Sequence, residues 1–236
     1  MLYLIGLGLD SYGISKQGLD IIKRAKKIYL ENYTVDFPYN LGWIEDVIDK
    51  KVINANREKV ESLEIVDEAK KQDVVLLVYG SPLTATTHIT LIQECKASGI
   101  KCKVIHNASI LDAVAETGLQ LYKFGKVASM PAWKPSYEPT SFMEIIKDNM
   151  KIEAHSLILV DIGLRLDSAI DQLEISAKKE GVKIDKILVA SKLGTDRSKI
   201  SYDKVSNFRD FDIERPYCII VPGKLHFVEE EFLENL

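Results

Sequence analysis

The chain has 236 residues, 46% of them hydrophobic and 28% charged, with a formal net charge of -4. That length supports one large domain or two small ones, each with its own core. The mild acidity excludes a dominant nucleic-acid surface, which needs a clustered basic excess.

Three cysteines (Cys95, Cys102 and Cys218) leave one unpaired in any disulfide scheme, none forms a CxxC pair, and the four histidines are scattered. Neither a disulfide framework nor a metal site is expected. The cysteines read as small core residues of a reducing compartment. The opening "MLYLIGLGLD" is apolar, lacks a basic leader and is too short to span a bilayer, so it reads as a first strand. A cytoplasmic protein is expected.

In chain order, the first half alternates as an α/β domain does. Residues 2–5 form a buried strand that ends in Gly6-Leu7-Gly8-Leu9-Asp10. Ser15 is placed to cap a helix reaching about residue 26, whose basic last turn suits the helix dipole. A strand over 28–31, a loop containing Pro38 and a helix over 43–49 precede a short strand at 52–54. Val60, Leu63 and Val66 share one face of a helix over 57–71. Residues 74–78 are the most apolar strand and mark the centre of the sheet. A helix over 85–97 stops at Gly99, with Thr86 or Thr87 as its cap. A strand over 102–105 leads through His106-Asn107-Ala108-Ser109 to a helix over 110–116.

"TGLQLYKFGK", residues 117–126, breaks this rhythm with two glycines, so the boundary is set between 1–116 and 117–236. The second domain is mixed. It has a strand over 126–130, a proline-rich loop, a helix over 141–149, a strand over 156–162, a helix over 167–179 and a strand over 186–191. A ribbon over 199–208, a buried strand over 218–221 and a terminal helix complete it. The expected architecture is α/β, with two consecutive α/β domains and a ligand in the inter-domain cleft. Ligands of open α/β sheets sit outside the carboxyl ends of the strands, which gathers the loops after residues 5, 78, 105, 161 and 191.

Those loops carry unusual residues. Gly6-x-Gly8 permits close backbone approach, but the third glycine of a dinucleotide fingerprint is missing, although Glu31 stands where a ribose-binding acid would. "GSPLTATTH", residues 80–88, offers Ser81 and Thr84 as uncharged hydrogen-bonding groups. His88 on a helix reads as structural.

The blocks "YLIGLGL", "GSPLTATTH", "VIHNASI", "GLQLYKFG" and "VPGKLH", in this order, resemble the diphthine synthases, methyltransferases of the tetrapyrrole methylase fold class. The resemblance runs from residue 1 to about residue 230. It implies methyl transfer from S-adenosylmethionine, with S-adenosylhomocysteine as product. The acceptor is the amino group of a carboxy-aminopropyl histidine on translation elongation factor 2. Archaeal members trimethylate it to diphthine; eukaryotic ones add a methyl ester. By motif, cofactor contacts fall at Leu9, Ser81, Thr84, Ser109 and Ile110, and further at Val160, Leu193 and Tyr217. The family is typically homodimeric, and Trp133, Tyr137 and Phe142 are candidate partner-surface residues.

Three positions depart from the family. "GSP" replaces "GDP" at Ser81, Gly163 follows "LVDI" where a basic residue is usual, and Tyr217 stands where His is common. No catalytic acid or base is expected. An amine titrating one to two units above neutral costs about 1.4–2.8 kcal/mol to deprotonate, whereas positioning two reactants supplies about 7–11 kcal/mol. His106 and His226 are nearest the expected site, and Lys224 is a candidate for an acceptor carboxylate. Three other readings are a tetrapyrrole methylase acting on a corrin precursor, a nicotinamide-dependent dehydrogenase, and a non-catalytic partner of the translation apparatus. No direct nucleic-acid or membrane partner is expected.

Overall fold

The computed structural model describes residues 1–40 and 42–236, which divide into two compact units, Met1–Ala113 and Val114–Leu236.

The first unit runs β1 (Leu2–Gly6), α1 (Lys16–Arg24), β2 (Lys27–Glu31), α2 (Gly42–Ile48), β3 (Ile53–Ala55), α3 (Arg57–Glu61), α4 (Glu64–Ala69), β4 (Val74–Val78), α5 (Ile89–Ala97), β5 (Cys102–Ile105) and α6 (Ile110–Ala113). Its sheet is parallel, in the order β3-β2-β4-β1-β5. The wholly buried β4 is its middle strand, as a continuous apolar run requires when helices cover both faces. Successive side chains of a strand point to opposite faces. Val74, Leu76 and Val78 therefore join one core with Leu2 and Leu4, while Val75 and Leu77 join another with Ile5 and Leu7. The Ser15 hydroxyl caps α1 by accepting the Gly18 N–H at 3.1 Å.

Three expected helices are shorter than their sequence pattern; the one over 110–116 gives way after Ala113 to a 3-10 turn over Val114–Thr117. The helix over 57–71 is broken into α3 and α4, with Leu63 between them in the left-handed region at φ 64°. The break lets α4 bury Ile65, Val66 and Ala69. It also brings Glu68 to the Tyr29 hydroxyl at 2.9 Å and to Lys27 at 2.9 Å. Tertiary pairing outweighs helix continuity here. The helix over 85–97 begins only at Ile89. Ala85 sits at φ 54°, the Thr86 hydroxyl donates to the Pro82 carbonyl at 2.8 Å, and His88 Nδ1 bonds the same carbonyl at 3.0 Å. Thr86 thus closes a turn, and α5 has no side-chain cap.

The second unit contains β6 (Ala128–Met130), α7 (Ser141–Lys151), β7 (Ser156–Val160), α8 (Leu166–Glu180), β8 (Lys186–Ser191), β9 (Lys199–Lys204), β10 (Tyr217–Val221) and α9 (Phe227–Glu234). The sheet order is β6-β7-β10-β8-β9, with β6 and β7 parallel and the other pairs antiparallel. The expected ribbon over 199–208 ends at Lys204. A 3-10 turn over Val205–Asp210 follows, because Val205 and Phe208 turn into the core. Phe142 is fully buried in that core and is no surface residue; Trp133 is half-buried with Nε1 donating to the Pro139 carbonyl at 3.1 Å, and only Tyr137 is exposed. Among the described residues no helix is long and apolar enough to cross a membrane.

Candidate active site

In the first unit, β4, β1 and β5 are adjacent and parallel, so their carboxyl ends deliver three loops to one edge of the sheet. Pairing continues past the strands. The Leu7 N–H donates to the Val78 carbonyl at 2.9 Å, and Gly8 and Gly80 exchange N–H to carbonyl bonds at 3.2 and 2.9 Å. Both glycines have positive φ, 75° and 66°, a region that glycine enters without steric cost. The third loop is tied in by the Asn107 side-chain amide, which donates to the Gly6 carbonyl at 3.0 Å and the Gly13 carbonyl at 2.8 Å.

A Cβ on Gly80 would lie 3.6 Å from the Ala108 carbonyl oxygen and 3.9 Å from Leu9 Cδ2. Leu9, the Gly80–Ser81 turn and the Ala108–Ser109 loop therefore meet. The Ser109 hydroxyl donates to Asp112 at 2.8 Å and accepts the Leu111 N–H at 3.2 Å, which fixes the start of α6 at Ile110. The Ser81 carbonyl accepts the Thr84 N–H at 3.1 Å, so Ser81 and Thr84 share one turn. Ser81 is buried. Residues 6–10, 79–84 and 107–110 contain no lysine or arginine. This lining of hydroxyls and carbonyls fits a cationic sulfonium and its adenosyl group.

In the second unit, β10 pairs Tyr217 with Ser191 and Cys218 with Leu159. The end of β7, the end of β8 and the start of β10 thus share one sheet edge, which brings Val160, Leu193 and Tyr217 together. Lys192 adopts φ 50° and its N–H donates to the Pro216 carbonyl at 2.9 Å, directing Leu193 into a buried position. The Tyr217 ring lies in the core and its hydroxyl donates to the Leu164 carbonyl at 3.2 Å. Burial, reinforced by the Asp167 charge, pushes its pKa up. Tyr217 therefore presents backbone rather than a phenol to any ligand. Gly163 sits at φ 74°, a region that glycine enters without steric cost.

The histidines are mostly engaged. His88 is buried against Pro82. His155 accepts the Gly223 N–H on Nδ1 at 2.9 Å and bonds Glu229 through Nε2 at 3.1 Å. Burial holds His155 below its usual pKa against the opposing pull of Glu229. His226 caps α9. His106 alone is exposed on a site loop. Glu31 is buried with both carboxylate oxygens taken, by the Tyr33 N–H at 3.0 Å and the Thr34 hydroxyl at 2.6 Å, so it has no free oxygen for a ribose. Burial pushes the thiols of Cys102 and Cys218 up to about 12, and they stay protonated. Lys224 is exposed and pairs with Glu153 at 3.3 Å.

The sequence reading missed Asn107 as the tie between loops, and it missed a buried cluster around Glu229. That carboxylate accepts the Gln120 and His226 N–H groups at 2.9 and 2.7 Å and also bonds His155 and Lys123. It joins the "GLQLYKFG" and "VPGKLH" blocks, and the 109 residues between Gln120 and Glu229 leave no local pattern that announces it.

The model of the family described as Tetrapyrrole (Corrin/Porphyrin) Methylases matches residues 1–207. The chain belongs to this family. It is an S-adenosylmethionine-dependent methyltransferase within it. Similar full-length relatives include the diphthine synthase of Methanocaldococcus jannaschii, 38% identical over 253 residues, and that of Methanococcus maripaludis strain C6, 36% identical over 251. Each alignment covers 100% of this chain and 98% of the relative. A crystal structure of a diphthine synthase superposes with a TM-score of 0.91 at 31% identity, covering 99% of this chain and 94% of that one. Seven of the eight expected contact residues lie inside the tetrapyrrole methylase match; Tyr217 lies beyond it and within the full-length alignments.

Proposed function

We propose that the protein is a diphthine synthase, methylating the amino group of the carboxy-aminopropyl histidine of translation elongation factor 2 up to the trimethylated state. The observation that carries this reading is the full-length match to diphthine synthases, which extends past the shared methylase region to the C-terminal blocks. Corrin-precursor methylation shares the fold but is not favoured by these relatives.

S-adenosylmethionine, when bound, supplies the electrophilic methyl group on sulfur. In this reading Leu9, Ser81, Thr84, Ser109 and Ile110 of the first unit and Val160, Leu193 and Tyr217 of the second hold it. In the first unit the neutral hydroxyls and carbonyls orient the donor, with no lysine or arginine on those loops to oppose the sulfonium. The acceptor nitrogen arrives neutral, forms the new N–C bond as the S–C bond breaks, and after each of the first two transfers loses a proton to solvent. Three of the four histidines are held in structural bonds, so no side chain is assigned as general base, and positioning supplies the larger share of the acceleration. A homodimer in the cytoplasm belongs to the same reading; the free cysteines fit a reducing compartment.

The test is incubation with methyl-labelled S-adenosylmethionine and elongation factor 2 bearing the precursor, followed by intact-mass analysis. A gain of up to three methyl units on the protein is expected. Label found only on an added corrin precursor overturns the reading.

A further inference from the structure

Outside the expected donor contacts, one cluster in the first unit has no assigned role. Phe37 and Tyr39, on the loop after β2, Trp43 on α2, and Tyr79 at the end of β4 form a continuous aromatic wall. Ring centroids lie 5.4 Å apart for Phe37 and Tyr79, 5.9 Å for Phe37 and Tyr39, 6.2 Å for Tyr39 and Trp43, and 6.4 Å for Tyr39 and Tyr79. All four rings are half-buried, so the wall keeps an accessible side. It borders the candidate site, because the Tyr79 hydroxyl donates to the Leu9 carbonyl at 3.2 Å and Tyr79 immediately precedes Gly80 and Ser81.

Two further observations point to a charged, polar occupant. Tyr39 Oη and Trp43 Nε1 are among five buried side-chain polar atoms that have no hydrogen-bond partner among the described residues. Each orphaned donor is costly, and two of them lie on this one wall. The Asp10 carboxylate lies close enough to act electrostatically on two of these phenols. The phenol pKa of Tyr39 is raised by burial, then by Tyr79 and Asp10; that of Tyr79 is raised by burial, then by Asp10. Aromatic faces beside a carboxylate attract an alkylated ammonium, and unpartnered O–H and N–H groups donate to a carboxylate.

We propose that the wall of Phe37, Tyr39, Trp43 and Tyr79 seats the amino-acid head of the acceptor, its nitrogen on the rings, neutral when it attacks and cationic once methylated, and its carboxylate on Tyr39 Oη and Trp43 Nε1. This rests on the function proposed above. Each added methyl makes the ammonium less hydrated and better matched to a ring face. The partly methylated acceptor is thereby retained between transfers, and the wall drives the reaction toward the trimethylated product.

Two experiments test it. In the first, the indole N–H resonance of Trp43 in the intact protein is followed while tetramethylammonium chloride is added, with sodium chloride as control. A saturable shift seen only with tetramethylammonium is expected; its absence overturns the proposal without recourse to any variant. In the second, Tyr39→Leu, Tyr39→Phe and Trp43→Leu are compared by intact mass of elongation factor 2 and by calorimetry with S-adenosylmethionine. The leucine variants are expected to lower the ratio of trimethylated to monomethylated product about tenfold. Tyr39→Phe, which keeps the ring, is expected to lose less, and donor affinity is expected to hold in all three. An unchanged product ratio overturns the proposal, as does lost donor affinity, which assigns the wall to the donor. If the wild-type protein transfers nothing to elongation factor 2, the proposed function fails, and the titration still decides whether the wall binds an alkylated ammonium.

Discussion

Ser81 puts a neutral hydroxyl where the sequence resemblance leads one to expect an acid, in a buried turn. A carboxylate there would face a cationic donor, and a charge-assisted contact is worth about 1–2 kcal/mol more than a neutral one. Ser81→Asp is therefore expected to lower the dissociation constant for S-adenosylmethionine about five- to thirtyfold, read by calorimetry. In the free protein the same carboxylate is buried without a partner, so the melting temperature of the unliganded variant is expected to fall. An unchanged affinity would remove Ser81 from the donor contacts. Gly6 is constrained differently. A Cβ there would lie 2.5 Å from the Gly80 carbonyl oxygen and 2.8 Å from Asn107 Cβ. Gly6→Ala forces the first and second loops apart, and an unfolding free energy lower by about 1–3 kcal/mol is expected from chemical denaturation.

At the scale of elements, Glu229 is the tie that fixes α9. It joins the N-terminus of that helix to Gln120 and Lys123 on one segment and to His155 beside β7. Burial by itself would raise its pKa; the Gln120 N–H, Lys123, the His226 N–H and His155 together outweigh that and hold it at about 2. A carboxylate whose folded pKa lies below its unfolded value near 4.5 contributes stability that is present above pH 4.5 and is lost as the pH falls toward 2. His155, kept neutral by burial, adds a second loss that begins as the pH drops below its unfolded pKa of 6.5. Glu229→Gln is expected to cost about 3 kcal/mol at pH 7, because it removes the charge that pairs with Lys123 and turns one of the two accepting oxygens into an NH2 group, which faces the donors that oxygen served. It should also flatten the decline in stability below pH 4.5, as measured by denaturant titrations at several pH values. The cluster also marks where the sequence stops being readable. Val74–Val78 and the Ser15 cap follow from apolar pattern and cap chemistry within a few residues. Glu229 meets Gln120 across a separation of 109 residues, and the Gly8–Gly80 bridge depends on β4 lying beside β1. The break at Leu63 is set by the pairing of Glu68 with β2. None of these has a local signal. The loops holding Leu9, Ser81 and Ser109 were recoverable because all three follow strands, whereas the burial of the Tyr217 ring was not.

For the whole molecule, the proposed donor contacts fall in both units. Each has its own sheet and its own core, and each gathers some of the expected contact residues at one edge of its sheet. A ligand held by one unit alone would stabilise that unit and leave amide exchange in the other unchanged. A ligand held by both adds its binding free energy to the opening of each, about 2.7 kcal/mol at a concentration 100 times the dissociation constant. That slows exchange roughly a hundredfold wherever opening disrupts the site. Hydrogen exchange with saturating S-adenosylhomocysteine is therefore expected to protect residues 80–84 and 107–110 together with 160–163, 192–195 and 217. Protection confined to the first set would assign the donor to the first unit alone and leave Val160, Leu193 and Tyr217 with structural roles only. The distinction matters for catalysis as well as binding. If positioning rather than a titrating side chain supplies the acceleration, residues in both units must hold their places for the acceptor to meet the methyl group. Substitutions such as Gly6→Ala, which touch no reactant, should then lower turnover along with stability.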